Sequence, residues 1–192
     1  MAESAIAPQT VIGHVHLKVS NLARSEDFYW RVLGFEVTTR YGDSAVFMSA
    51  GGYHHHLGLN TWHSKGAPPA GPHHPGLFHF AVLYPSRPAL ARAVARVLEQ
   101  GVEIDGVADH GVSEAVYLHD PDGNGIELYR DRDPSEWARS ADGEIVMVTE
   151  ALDIQGLLAE ANQEEEPAAS SEETYLPRGR PVPTTSGGRQ TD

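Results

Sequence analysis

The stretch Asp120-Pro-Asp-Gly-Asn-Gly-Ile-Glu-Leu-Tyr129 decides how the chain is read. Its first half is an Asp/Pro/Gly turn, and its second half opens a short strand over 125–130. Strand side chains alternate faces, so Glu127 and Tyr129 point one way while Ile126 and Leu128 point the other. A carboxylate opposite two aliphatics faces either solvent or a polar cavity. Two earlier strands favour the cavity. In Ile12-Gly-His-Val-His-Leu-Lys-Val19, His14, His16 and Lys18 alternate with Val15, Leu17 and Val19; in Gly76-Leu-Phe-His-Phe-Ala-Val-Leu83, His79 stands between two phenylalanines. Two imidazoles and one carboxylate, each from a different strand, are the parts of a divalent metal site.

Working outward, the first strand (11–19) leads to a helix that Ser20 or Asn21 can cap. The helix shows Leu22, Phe28, Tyr29, Val32 and Leu33 on one face, and Gly34 is placed to end it. Strands follow at 35–40, 45–50 and 53–62. After a Gly/Pro-rich connection at 65–75 the order recurs. A strand at 77–84 leads to a helix with Leu90, Val94, Val97 and Leu98, ending near Gly101, and strands follow near 103–108, 113–119 and 125–130. The pattern is one internal repeat in which His14 and His79 hold matching places. The expected fold is α+β: two paired βαβββ modules, about 11–64 and 76–131, forming a curved mixed sheet around a metal cavity. A flexible leader is expected at 1–10. An extension at 132–161, with a short amphipathic helix at 151–161, is expected to pack back on the domain. The Glu/Pro/Ser/Thr-rich residues 162–192 are expected to be disordered.

Composition narrows the function classes. The 192 residues include no cysteine, which excludes disulfides, thiolate metal sites and cysteine nucleophiles. A formal net charge of −13 argues against nucleic acid or an anionic membrane as partner. No basic-then-apolar leader is visible, and no apolar run approaches the roughly 18 residues that span a bilayer. A soluble cytoplasmic protein is the expectation. All 11 histidines lie between His14 and His119, within the folded part.

His14, His79 and Glu127 as metal ligands would leave the opposite positions of the ion open, which suits non-haem Fe(II). His16 shares the face of His14, but the repeat selects His14: aligning His79-Phe-Ala-Val with His14-Val-His-Leu sets Ala81 against His16. Aligning Leu57-Gly-Leu59 with Ile126-Glu-Leu128 puts Gly58 where Glu127 stands. A carboxylate at that place would give four protein ligands; glycine leaves three, with room for a chelating substrate and a gas. By alternation His54, His56 and Asn60 share the face of Gly58. His56 becomes the candidate acid/base, since an imidazole with a pKa of about 6.5 both takes and returns a proton. Tyr117 and His119 share an inward face of the neighbouring strand, where Tyr117 is either a hydrogen-bond partner for a substrate oxygen or a core tyrosine. His110 lies in the loop before that strand, and His73-His74 reads as a solvated loop.

The paired modules with His14, His79 and Glu127 resemble the vicinal oxygen chelate superfamily, which includes glyoxalase I, fosfomycin-resistance and bleomycin-binding proteins and type I extradiol dioxygenases. Gly51-Gly-Tyr-His-His-His-Leu-Gly-Leu-Asn-Thr-Trp62 and Asp109-His-Gly-Val-Ser-Glu114, with the stretch 120–129, most resemble bacterial catechol-2,3-dioxygenases. The resemblance implies Fe(II), with Mn(II) as the variant, held by His14, His79 and Glu127. It implies His56 as acid/base, Tyr117 as the tyrosine that bonds substrate and His110 as a second active-site histidine. It further implies catechol and O2 as reactants, ring opening to a semialdehyde acid, and a homo-oligomer, a dimer or higher. Many extradiol enzymes carry two module pairs, and this chain shows one. A redox-neutral glyoxalase-like enzyme or thiol transferase is the alternative within the fold. A metal-free aromatic-drug-binding protein is the alternative outside enzymology.

Overall fold

The computed structural model of the chain describes residues 6–7, 9–71 and 73–163. Most of the expected leader at 1–10 and nearly all of the expected disordered tail at 162–192 lie outside those residues. The first module runs β1 (Val15–Lys18), α1 (Leu22–Arg31), β2 (Glu36–Tyr41), β3 (Ala45–Ser49) and β4 (Leu57–Asn60). The second runs β5 (His79–Leu83), α2 (Arg87–Glu99), β6 (Gly106–Asp109), β7 (Ser113–His119) and β8 (Gly125–Asp131). A 3-10 turn at Pro134–Glu136 and a helix α3 (Ile154–Ala159) complete the described chain.

Each module is a four-stranded mixed sheet with the same internal order, β1-β4-β3-β2 and β5-β8-β7-β6. The first and last strands of each pair in parallel, and the remaining pairs are antiparallel. The parallel register is the same in both copies: His16 stands opposite Gly58 as Ala81 stands opposite Glu127. The repeat read from the sequence is therefore exact to the residue at the sheet centres. Both helices start at side-chain caps. Asn21 accepts from the Arg24 amide at 3.1 Å, and Ser86 accepts from the Ala89 amide at 3.1 Å. Phe28 and Tyr29 of α1, and Leu90, Val94 and Val97 of α2, join Leu17, Leu57, Leu59, Ile126 and Leu128 in one core common to both modules.

Two strands are shorter than their alternation suggests. β1 starts at Val15, whose amide makes the first ladder bond, to the His56 carbonyl at 3.0 Å, so His14 stands just ahead of it. The predicted strand over 53–62 contracts to Leu57–Asn60. Gly51 and Gly52, at φ 66° and 82°, extend the turn, and the Thr38 hydroxyl captures the His54 carbonyl at 2.8 Å. Among the described residues no helix is long and apolar enough to cross a membrane.

What joins the modules is the turn between β7 and β8. Asp120, buried at 5% exposure, accepts from the Tyr29 hydroxyl of α1 at 2.9 Å, and from the Asp122 and Asn124 amides and the Asn124 side chain. Asp122 accepts from the Ser20 amide at 3.0 Å, the Ser20 hydroxyl at 2.5 Å, the Ser25 hydroxyl at 3.2 Å and the Arg24 guanidinium at 2.5 Å. Burial opposes the Asp122 carboxylate, but the Ser20 donors and Arg24 outweigh it and hold the carboxyl below its usual range. Burial, then the neighbouring Asp120 carboxylate, push the Tyr29 phenol well above its own.

Asp122→Ala leaves these donors without their acceptor and is expected to cost about 2–4 kcal/mol in urea denaturation at pH 7. The sign of the pH dependence follows from the depressed carboxyl. Its contribution is complete above the unfolded pKa of about 3.9 and is lost as pH falls through the lower folded value. The stability gap between wild type and Asp122→Ala should therefore narrow in acid.

Candidate functional site

The second module assembles a polar cluster on one face of its sheet. His79 opens β5 and Glu127 lies in the middle of β8, with His79 Nε2 3.1 Å from Glu127 Oε2. The approach depends on Gly125, which stands opposite His79 in the ladder; a Cβ there would come within 3.0 Å of the His79 Cβ. Tyr117 stands directly across from Glu127, and its hydroxyl donates to Glu127 Oε1 at 3.0 Å. Burial, followed by the Glu127 carboxylate, pushes the Tyr117 phenol up to about 12, so it remains a protonated donor at neutral pH. His110, at the end of β6, places Nε2 2.8 Å from the same hydroxyl and Nδ1 2.8 Å from the Val148 carbonyl.

The donor chemistry of this cluster suits a divalent ion. Two adjacent donors, each about 2.1 Å from a six-coordinate ion, stand about 3.0 Å apart. The imidazole and carboxylate of His79 and Glu127 have that spacing, and Tyr117 occupies the other carboxylate oxygen and so orients the group. Among the described residues, however, no three His, Asp or Glu side chains are gathered closely enough to hold a metal. His14, the third residue expected there, lies exposed before β1 with its ring 4.4 Å from that of His55. The structure therefore brings His79, Glu127, Tyr117 and His110 together and leaves His14 apart from the pair.

The first module repeats the framework with different side chains. Phe47 stands opposite Gly58 as Tyr117 stands opposite Glu127. The His16 ring lies over Gly58, where a Cβ would come within 2.9 Å of it, and meets Phe47 and Trp62 at centroid distances of 5.6 and 5.7 Å. The ring beside His14 belongs to His55, which also meets Phe47 at 5.0 Å and shares a 2.7 Å Nδ1–Nδ1 hydrogen bond with His54. His56 is held at the sheet end instead. Its Nδ1 lies 3.0 Å from the Ser49 hydroxyl and accepts from the Ala50 amide at 3.3 Å. Burial first, then neighbouring imidazoles, lower the pKa values of His16, His55 and His56.

The remaining sequence candidates are engaged elsewhere. His119 bonds Asp105 at 2.5 Å, the Asn60 side chain accepts from the Trp62 amide, and His73 and His74 lie in an exposed loop. Alternation does not reach His55, because it speaks only within a strand and β4 begins at Leu57. Neither Phe47 nor the Val148 carbonyl is marked in the sequence: the first is an ordinary strand aromatic, and a carbonyl has no side-chain signal.

With this geometry in hand, kinship becomes informative. The profile of the Glyoxalase/Bleomycin resistance protein/Dioxygenase superfamily matches residues 11–128. A catechol-2,3-dioxygenase of Bacillus subtilis (strain 168) is 45% identical over 161 residues, covering 84% of this chain and 55% of that protein. Biphenyl-2,3-diol 1,2-dioxygenase 3 of Rhodococcus globerulus is 31% identical over 121 residues, covering 62% of this chain and 63% of that protein. The chain thus spans 55% to 63% of the length of these curated relatives. Among solved structures, a lactoylglutathione lyase from Agrobacterium tumefaciens superposes with a TM-score of 0.51 at 22% identity, covering 65% of this chain and 96% of that one. A glyoxalase/dioxygenase from Nostoc punctiforme does so at 0.55 and 21%, covering 69% and 100%. These likenesses speak to the fold. Its profile match, its doubled βαβββ topology and its relatives agree: the chain belongs to the Glyoxalase/Bleomycin resistance protein/Dioxygenase superfamily.

Proposed function

We propose that the chain is an Fe(II)-dependent extradiol dioxygenase that opens the ring of a catechol-type diol with O2. The observation that carries this reading is the His79–Glu127 pair at 3.1 Å with the Tyr117 hydroxyl on the second carboxylate oxygen. The 45% identity to a catechol-2,3-dioxygenase supports it. His79 and Glu127 would hold the ion. His14 is proposed as the third protein donor, because it precedes the first strand of its module as His79 begins that of the other. Fe(II) bound there supplies open coordination positions and electron transfer between diol and O2, and Mn(II) suits the same donors.

The chain's own groups then have distinct tasks. Tyr117, kept protonated, offers its hydroxyl to a substrate oxygen. His110 holds that hydroxyl from the other side. Proton transfer is assigned to His55, whose ring stands beside His14 and whose pKa is lowered by burial and then by neighbouring imidazoles. His56, the residue that alternation suggests, is assigned to holding the sheet end through Ser49. Gly58 leaves the first module without a carboxylate, which keeps the protein donors at three. A homodimer and a cytoplasmic setting belong to the same proposal.

The test is O2 uptake by anaerobically Fe(II)-loaded protein offered a panel of catechols, with the yellow ring-opened product followed alongside. One O2 consumed per product is the expected result. Uptake without yellow product, or a bound metal with no uptake, would overturn the reaction and favour a different chemistry on the same fold. Failure to retain any metal would favour a binding protein.

Two substitutions carry the residue assignments. Glu127→Ala should abolish metal retention, measured by elemental analysis, together with turnover. His55→Ala should lower kcat by about 10²–10⁴-fold, the usual worth of an acid/base group, while His56→Ala costs less than about tenfold. The reverse ranking would return the proton to His56.

A further inference from the structure

The site described above draws on the two modules, yet one of its contacts comes from the C-terminal extension. The Val148 carbonyl meets His110 Nδ1 at 2.8 Å, and the Val148 amide donates to the His110 carbonyl at 3.1 Å. Two residues on, Asp109 and Glu150 exchange both backbone hydrogen bonds at 2.9 Å each, as an isolated antiparallel bridge. We propose that residues 148–150 are a strap that keeps the proton of His110 on Nδ1, so that Nε2, the nitrogen facing Tyr117, is the only one that exchanges protons with the site. Its catalytic meaning rests on the dioxygenase reading; its structural content does not.

The argument is one of donors and acceptors. A carbonyl oxygen only accepts, so the ring nitrogen facing it carries a hydrogen whether the imidazole is neutral or charged. Tyr117 has one hydroxyl proton and two neighbours able to take it, Glu127 Oε1 at 3.0 Å and His110 Nε2 at 2.8 Å. With Nδ1 committed to Val148, neutral His110 can accept the phenol proton, and protonated His110 donates to the phenol oxygen. Without the strap the proton could sit on either nitrogen, and the Nε2–H form could not accept from Tyr117. Val148 thus acts through His110 as a positioning residue.

The strap keeps its place mainly through hydrogen bonds. Ile145, Val146, Met147 and Val148 are 44%, 38%, 65% and 37% exposed, so burial alone does not hold this run down. Its flanks are firmer: the Trp137 indole donates to the Arg132 carbonyl at 3.0 Å, and Leu152 and Leu157 are buried. The loop it grips is fixed as well. Asp109 accepts from the Gly111 amide at 2.9 Å and from Arg132 at 2.6 Å, which outweigh its burial and hold its carboxyl below the usual range. A segment with few buried apolar contacts between firm anchors can open without global unfolding. The orientation of His110 follows the strap when it does.

The test uses the full chain, metal-free and labelled with ¹⁵N-histidine, with the His110 signals assigned through His110→Gln. Long-range ¹H–¹⁵N spectra of the neutral ring should show Nδ1 protonated and Nε2 carrying the lone pair. Amide exchange at Val148 and Glu150 should be slowed at least about tenfold relative to an unstructured peptide. Val148→Pro removes the donor to the His110 carbonyl. It should mix the two tautomers, shift one limb of the kcat/KM pH profile and lower kcat about tenfold with KM nearly unchanged. A dominant Nε2–H tautomer in the unmodified protein, an unprotected Val148 amide, or a Val148→Pro protein with wild-type tautomer and kcat would each overturn the strap. If that variant does not fold, the two measurements on the unmodified chain decide. Neither needs a substrate, so a chain that turns over no catechol but shows the fixed tautomer keeps the strap and loses the reaction.

Discussion

Everything about the site depends on two aspartates that never touch it. Asp120 and Asp122 turn the chain from β7 into β8, and the same carboxylates take the Tyr29, Ser20, Ser25 and Arg24 donors of the other module. Local turn chemistry and long-range docking are thereby one network. The common core built from α1, α2 and strand residues of both sheets draws on both modules. A carboxylate with several donors is a directional joint, because each lone pair points at a particular partner. It fixes the start of β8, and two residues into that strand stands Glu127.

The equal registers of the two sheets give the duplicated framework a physical meaning. A parallel pair flanked by an antiparallel strand places three residues on one face: one on the first strand, one on the last and one opposite it. In module two these are His79, Glu127 and Tyr117; in module one, the residue before β1, then Gly58 and Phe47. Loss of the carboxylate and the hydroxyl in the first copy empties the centre of that face, and the His16 ring lies in the space. The carboxylate, the phenol and the two imidazoles of the polar cluster, His79 and His110, belong to the other half.

How much of this the sequence discloses depends on whether a feature is periodic. The βαβββ repeat and the shared inward face of Glu127 and Tyr117 follow from alternation within strands that do form, and the cap, read as Ser20 or Asn21, is Asn21. Alternation fails where the strand ends. Carried back from Leu57 through the histidine run it favours His56, while the turn after Gly51-Gly52 swings His55 toward His14 and leaves His56 with Ser49. His14 stands one residue outside β1, where pairing no longer dictates direction. Least legible is the contact to Val148, since a backbone carbonyl has no identity in a sequence.

The unequal halves also bear on how such a protein changes over generations. A residue that must present a polar atom at a fixed point tolerates almost no replacement; the proposed site takes His79, Glu127, Tyr117 and His110 from module two, and His14 and His55 from module one. The His16 ring meets Phe47 and Trp62 at centroid separations of 5.6 and 5.7 Å, a looser requirement that many apolar or aromatic side chains satisfy. Variation can accumulate at Phe47 and Trp62 while the polar cluster of the other sheet stays intact, which is a route by which one scaffold diversifies what it accepts without relearning what it does.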